Sequence, residues 1–139
     1  LRIALLGAGR IGKGHAEALA GRIPEAELVV VADVHGPFAE EVAARVGAGR
    51  WTADPLEAIA GGEIAAVVIA SSTDTHAPLI EAAAAAGVHV FCEKPIALDL
   101  EATDRALAAV DTAGVAFQIG FQRRFDPAYA KAKELIEAS

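Results

Sequence analysis

Three glycines within six residues are the feature that most constrains how this chain can fold. The apolar residues 3–6 lead directly into Gly7-Ala8-Gly9-Arg10-Ile11-Gly12, and a helix-period segment at residues 11–22 follows. In such a strand-to-helix turn the first glycine permits the tight bend, the second lets the backbone approach a pyrophosphate, and the third lets helix and strand pack closely. The helix N-terminus then offers free N–H groups to phosphate. We therefore predict a dinucleotide site formed by Gly7, Gly9, Arg10, Ile11 and Gly12, the alternative being an ordinary glycine-rich turn.

The rest of the chain alternates between short apolar runs and longer helix-period segments. We expect extended segments at residues 28–32, around Trp51, and at residues 65–70, 88–92 and 115–119, with helices between them. Asp54, Asp99 and Asp126 are expected to cap helices, and Gly87 and Gly114 to end them. This alternation predicts an α/β fold with a doubly wound parallel sheet of about six strands, the NAD(P)-binding Rossmann arrangement, in which residues 1–139 form one domain.

Charge and composition exclude several classes of partner. The formal net charge is −7, so nucleic acid and anionic membrane surfaces are not expected to bind. No apolar run approaches the ~20 residues that a membrane span needs. The first residues lack a signal-peptide pattern, and the single cysteine, Cys92, cannot form an internal disulfide. These features predict a cytoplasmic protein.

Asp33 follows the second predicted strand, 21 residues after Gly12. A carboxylate in this position accepts hydrogen bonds from the adenosine ribose of a dinucleotide. A 2′-phosphate would meet a like charge there, at a cost of about 4 kcal/mol for two unit charges ~4 Å apart at an effective dielectric constant of ~20. The sequence therefore predicts NAD as cofactor, with NADP less favoured. Arg10 is a possible partner for a 2′-phosphate, and an ordinary loop carboxylate is the alternative for Asp33.

Three more loops follow predicted strands, and ligands of such sheets bind beyond the carboxyl ends of the strands. They are residues 71–76, with Ser71, Ser72, Thr73 and His76 as candidate cofactor contacts, residues 93–95, and residues 120–125. In the second loop, Lys94 follows a buried strand, and Pro95 restricts it to extended backbone. An amine at this point can bind a substrate hydroxyl and relay its proton. A surface ion pair between Glu93 and Lys94 is the alternative.

These motifs resemble those of the glucose–fructose oxidoreductase and inositol dehydrogenase family, most closely its inositol 2-dehydrogenase branch. The matching positions are the glycine motif, Asp33, Phe91-Cys92-Glu93-Lys94-Pro95 and Gly120-Phe121-Gln122-Arg123-Arg124-Phe125-Asp126. The resemblance implies that Lys94 is the catalytic lysine and contacts both cofactor and substrate hydroxyl. It implies that Glu93 and Pro95 shape the nicotinamide pocket and that His76 lies near the cofactor. Arg123 and Arg124 match an arginine pair on the substrate side.

The resemblance also implies an NAD-dependent oxidoreductase that oxidises a secondary alcohol of a cyclitol or sugar. Members of this family carry a second α/β domain and are expected to form homo-oligomers. Because the chain contains no methionine and stops at Ser139 within a helix pattern, we expect it to be part of a longer protein. The alternatives are a relative acting on another sugar derivative, a non-catalytic NAD-binding or sensing module, and a methyltransferase, which would leave the lysine loop unexplained.

Some reactive residue types are not assigned to the site. Cys92 ends a predicted buried strand and is expected to be a packed thiol. His15 lies within the first helix, where we expect it to pack or to support the site without touching a ligand. The spacing of histidines and carboxylates does not indicate a metal site.

Overall fold

Each predicted apolar run forms a strand, and the segments between them form helices that cover the sheet. The computed structural model describes residues 1–138. The strands are β1 (Arg2–Leu6), β2 (Glu27–Ala32), β3 (Arg50–Thr52), β4 (Ala66–Ile69), β5 (His89–Cys92) and β6 (Phe117–Ile119). The helices are α1 (Arg10–Arg22), α2 (Gly36–Val46), α3 (Pro55–Ala60), α4 (Thr73–Ala85), α5 (Leu100–Ala113) and α6 (Pro127–Glu137). A single 3₁₀ turn spans Gln122–Phe125.

The strands form one sheet in the order β3-β2-β1-β4-β5-β6, and every neighbouring pair is parallel. Over the described residues the predicted doubly wound sheet is thus confirmed. The strand order reverses between β1 and β4, which are direct neighbours although two strands separate them in sequence. Such a switch point opens a crevice at the carboxyl ends of the strands, where sheets of this type bind ligands.

The core lies in two apolar layers, one on each face of the sheet. Successive residues of a strand point to opposite faces, so Leu5 and Leu6 of β1 enter different layers. Leu5 packs with buried residues of α1 and α2, whereas Leu6 packs with buried residues of α3, α4 and α5. Because both faces of the inner strands are covered, β1, β2 and β4 consist mostly of apolar residues rather than alternating polar and apolar ones.

The predicted capping residues hold the helix ends. Asp54, Asp99 and Asp126 each accept a hydrogen bond from a backbone N–H in the first turn of the following helix. Gly87 and Gly114 follow α4 and α5 in left-handed conformations, with φ of +71° and +65°. Helix α4 begins at Thr73, directly after the extended residue Ser72.

Two glycines of the first turn are required by close backbone contacts. Gly7 has φ +102°, and a Cβ on it would lie 2.5 Å from the carbonyl carbon of Ala70 and from the nitrogen of Ser71. A Cβ on Gly12 would lie 1.9 Å from the carbonyl oxygen of Gly7. Both obstacles are backbone atoms, which cannot rotate away. The absent side chains therefore allow α1 to start directly against the ends of β1 and β4.

We expect Gly12→Ala to lower the free energy of unfolding by at least about 2 kcal/mol, because the methyl group forces α1 away from Gly7. The matched control is Gly14→Ala in the same helix, where a Cβ meets no heavy atom within 4 Å. That change should be neutral or stabilising by up to about 1 kcal/mol, since alanine favours helix. Urea denaturation measures both values, and equal effects of the two substitutions would contradict the packing described.

Candidate cofactor site and active-site loop

The start of α1 presents unpaired backbone N–H groups at the switch point. The first hydrogen bond of the helix runs from Lys13 N–H to Gly9 C=O, 2.9 Å apart, and no side chain caps the helix. The N–H groups of Arg10, Ile11 and Gly12 precede that bond, an arrangement suited to anions. A Cβ on Gly9 would meet no heavy atom within 4 Å, so the packing of the chain itself does not require this glycine. The close approach of a phosphate group would require a glycine at this position.

Asp33 connects the glycine turn to the loop that follows β2. Its Oδ2 accepts a hydrogen bond from Ala8 N–H at 2.7 Å, and its Oδ1 accepts one from His35 N–H at 2.8 Å. The side chain is half-buried. An ionised carboxylate has about four acceptor positions, so two backbone bonds leave capacity for ribose hydroxyl groups. Asp33 thus has a structural role in the turn in addition to the predicted ligand contact.

A cavity of about 400 Å³ joins the glycine turn, Asp33 and the loop after β4. Its lining includes five of the predicted cofactor residues, namely Gly7, Gly9, Asp33, Ser71 and Ser72. Seven further lining residues were not predicted: Val34, Phe38, Asp54, Pro55, Leu56, Thr75 and Leu79. Most of these have apolar side chains, which suits the flat face of an adenine ring. Asp54 and Pro55 could have been identified from their sequence position, because they follow β3 closely at the same edge of the sheet.

The loop after β4 is held in shape by hydroxyl groups. Ser71 Oγ lies 2.7 Å from Thr75 Oγ1, which donates to the carbonyl oxygen of Ser72, also at 2.7 Å. Ser71 and Ser72 face the cavity, whereas Thr73 opens α4 and does not line it. Thr75 therefore supports the loop and lines the cavity, a role that the sequence analysis missed.

His76 is buried below this loop, with an exposed fraction of only 2%. Its Nδ1 lies 2.7 Å from the carbonyl oxygen of Pro95, and its Nε2 lies 3.1 Å from that of Ser71. The ring therefore bridges the loops that follow β4 and β5. Both neighbours are carbonyl oxygens, which only accept hydrogen bonds. His76 fixes the position of Pro95 directly, whatever contact it makes with a cofactor.

Lys94 is exposed and has no hydrogen-bond or ion-pair partner among residues 1–138. The predicted alternative, an ion pair with Glu93, is absent from the described structure. Lys94 lines a cavity of about 360 Å³ together with Phe121, Gln122, Arg123 and Arg124. The structure thus brings the lysine of one loop and both arginines of another to a common space. Arg123 also stacks on Tyr129, with its guanidinium carbon 4.8 Å from the ring centre.

Glu93 is paired with a histidine of α1 instead. His15 Nε2 lies 2.8 Å from Glu93 Oε1, and the edge of the His15 ring packs on Phe91 with ring centres 5.3 Å apart. A carboxylate only accepts hydrogen bonds, so His15 carries its proton on Nε2. The contact spans 78 residues of sequence and fits the expectation that His15 packs or supports the site.

The described residues contain no group of three or more histidine, cysteine, aspartate or glutamate side chains that could hold a metal ion. In the same part of the chain, no helix has the length and apolar character needed to cross a membrane. The site is built from backbone N–H groups, carboxylates, hydroxyl groups, two arginines and an unpaired amine.

The geometry agrees with comparisons to known proteins. A family model described as an oxidoreductase family with an NAD-binding Rossmann fold matches residues 1–121. The chain is 45% identical to scyllo-inositol 2-dehydrogenase (NAD(+)) of Bacillus subtilis and 47% identical to inositol 2-dehydrogenase of Rhizobium meliloti, over 99% of this chain in each case. It spans 40% and 41% of the lengths of these relatives.

A solved structure of scyllo-inositol dehydrogenase from Lactobacillus casei, with bound NAD(H) and scyllo-inositol, is also similar. It superposes with a TM-score of 0.94 at 35% identity, covering 99% of this chain and 41% of that one. The similarity therefore extends through the whole described fold, including the loops at the carboxyl ends of the strands.

The environment of Cys92 makes its thiol unreactive. Cys92 is fully buried at the end of β5, and its Sγ donates to the carbonyl oxygen of Glu93 at 3.3 Å. Burial, with a smaller contribution from the charge of Glu93, raises the pKa of the thiol to about 12. The thiolate is the nucleophilic form of cysteine, and a raised pKa keeps the thiol protonated. Cys92 is therefore a packed residue, as predicted from its place in the strand.

We expect Cys92 in the folded protein to react with a disulfide reagent at pH 8 at least ~10³-fold more slowly than in the denatured chain, where a thiol pKa near 8.5 is restored. The release of coloured thiolate from the reagent measures both rates. The denatured protein is its own control for reagent activity. A native rate that approaches the denatured one, in protein shown to be folded, would contradict the assigned environment.

Proposed function

The chain belongs to the oxidoreductase family with an NAD-binding Rossmann fold, and from this membership we propose that it is the cofactor-binding part of an NAD-dependent dehydrogenase acting on a cyclitol. Residues 1–139 would form the NAD-binding domain of that enzyme. The observation that carries the proposal is the unpaired Lys94, which shares a cavity with Arg123 and Arg124. Among the similar proteins, those named above act on inositols, which supports a cyclitol over other sugars.

The residues that would hold the cofactor lie in the first cavity and in the segments next to it. The N–H groups of Arg10, Ile11 and Gly12 would bind the pyrophosphate, with Gly9 leaving room for it and Gly7 shaping the turn. Asp33 would bind the adenosine ribose, and Ser71, Ser72 and Thr73 would contact the cofactor from the loop after β4. His76 and Glu93 would shape the neighbouring nicotinamide pocket. When bound, the nicotinamide accepts a hydride from the alcohol carbon, which is chemistry that the protein orients rather than performs.

The second cavity would bind the polyol. Lys94 Nζ would contact the reacting hydroxyl and relay its proton as the alcohol becomes a ketone. Arg123 and Arg124 would donate hydrogen bonds to neighbouring hydroxyl oxygens, since a guanidinium presents several donors in a fixed plane. This assignment makes Lys94 essential for turnover, whereas most of the affinity for the cofactor would come from the residues of the first cavity and the start of α1.

The proposal of NAD rather than NADP rests on Asp33. Its carboxylate oxygens already bind the N–H groups of Ala8 and His35, so the side chain cannot turn away from an approaching 2′-phosphate without breaking those bonds. The repulsion between the Asp33 carboxylate and a 2′-phosphate would therefore persist in the folded turn. Arg10 has no ion pair among the described residues and is the cation of the glycine turn that could offset it.

Lys94→Ala in the complete natural protein should lower kcat by at least about 10²-fold, the usual contribution of a positioned acid–base group. The dissociation constant for NADH should stay within about threefold, because the cavity that holds the adenosine half does not include Lys94. Reduced-nicotinamide absorbance with a panel of inositols measures kcat. Lys131→Ala, which removes an exposed lysine of α6, is the control. Turnover of Lys94→Ala within a few-fold of wild type would contradict the role assigned to Lys94.

Asp33→Asn should shift the cofactor preference towards NADP. Removing the like charge favours NADPH, while losing acceptor capacity weakens NADH, so we expect the ratio of the two dissociation constants to change by at least about tenfold. Titration calorimetry with each cofactor measures the ratio. Asp111→Asn removes the same charge at the end of α5 and should leave the ratio unchanged. A ratio unaltered by Asp33→Asn would show that another residue sets the preference.

A further inference from the structure

The loop that carries Lys94 is fixed on both sides of the lysine. On one side, Glu93 N–H donates to Ile69 C=O at 2.9 Å, and the Glu93 side chain reaches His15. On the other side, the carbonyl oxygen of Pro95 lies against the buried ring of His76. The Lys94 side chain makes no hydrogen bond or ion pair with the residues that hold the loop. Its place is therefore determined by the residues before and after it.

The contact between His15 and Glu93 is largely shielded from water, since the side chains are only 26% and 21% exposed. The His15 ring also packs edge-on against Phe91 of β5, so the geometry of the contact is well defined. A shielded hydrogen bond to a carboxylate stabilises the fold, and it also fixes where the Glu93 side chain lies relative to α1.

Glu93 has little freedom to move within this arrangement. A Cβ on Gly120, which follows β6, would lie 3.1 Å from the carboxyl carbon of Glu93. The carboxylate thus occupies the space between the Gly120 backbone and the His15 ring. With Gly120 on one side and His15 on the other, the carboxylate cannot swing far without losing the 2.8 Å contact.

His15 belongs to the helix that begins at the glycine turn, and lies three residues after Gly12. Glu93 directly precedes Lys94. The pair therefore connects the helix whose first N–H groups would bind the pyrophosphate with the residue that would contact the substrate.

We propose that His15 and Glu93 are positioning residues, which hold Lys94 at a fixed place relative to the cofactor-binding helix. This inference rests on the proposed function, in which Lys94 acts on the substrate hydroxyl. A misplacement of a catalytic group by about 1 Å can cost about 10²-fold in rate, so loss of this link can have a large effect on kcat in protein that is still folded. His76 holds Pro95 independently, so loss of the pair loosens one side of the loop and leaves the other fixed.

His15→Ala in the complete natural protein tests the link. We expect kcat to fall at least about tenfold in protein that circular dichroism shows to be folded at the assay temperature, with the NADH dissociation constant within about threefold. His15→Gln should recover much of the lost kcat, because the glutamine amide nitrogen can donate from near the position of Nε2. The double variant His15→Ala/Glu93→Ala should be no worse than the poorer single variant, since both changes remove the same contact.

A second measurement does not depend on activity. Hydrogen–deuterium exchange of the cofactor-free protein should be at least about tenfold faster at residues 93–98 in His15→Ala than in wild type, with β4 unchanged. The matched control is His89→Gln, which replaces a histidine at the opposite end of β5. It should alter neither the exchange of residues 93–98 nor kcat.

The outcomes separate this inference from the proposed function. If wild type oxidises no inositol in the panel, the proposed function fails, and the exchange rates alone decide whether the pair holds the loop. Exchange within twofold of wild type in His15→Ala overturns the inference. Faster exchange with kcat within twofold of wild type also overturns it, because the loop would then be held without consequence for Lys94. A loss of kcat that His15→Gln does not recover argues equally against a positioning role.

Discussion

The close approach of Gly12 to the carbonyl oxygen of Gly7 is the contact on which the rest of the site depends. No side chain can occupy the space between them, because even a Cβ would lie 1.9 Å from that oxygen. The contact sets where α1 starts relative to β1, and thereby where its first N–H groups point. It also sets where His15, one turn further along, meets the loop after β5. One backbone contact thus fixes both the helix start that would bind the pyrophosphate and the position of His15.

Asp33 has a structural role that is independent of its proposed role in cofactor selectivity. Its two oxygens hold Ala8 and His35 through backbone N–H groups, so the carboxylate is part of the turn before any ligand binds. Preorganisation of this kind reduces the entropy lost on binding, since the side chain is already ordered. Under the proposed function, a substitution that removes the charge would alter both the turn and the cofactor preference.

Local signals explain which parts of this structure could be predicted from sequence. Capping by Asp54 and Asp99, the glycine turn and the apolar strands each depend on residues close together in the chain, so their patterns are visible in order. The family resemblance supplied the roles of Lys94 and the two arginines, which spacing alone left open. Strand ends differed by one or two residues, because hydrogen bonding to neighbouring strands, rather than composition, decides where a ladder stops.

Contacts between distant segments could not be predicted in the same way. Nothing near His15 in sequence indicates Glu93, since the helix and the loop meet only when the sheet places β5 beside β4, which in turn lies beside β1. The same sheet order brings Leu56 and Thr75 to one cavity with Asp33.

The unpaired state of Lys94, beside a carboxylate that already contacts His15, is likewise a property of the folded chain. In sequence, Glu93 and Lys94 are adjacent opposite charges and favour an ion pair. The fold assigns the carboxylate to α1 instead, and this leaves the amine of Lys94 facing the cavity it shares with Arg123 and Arg124.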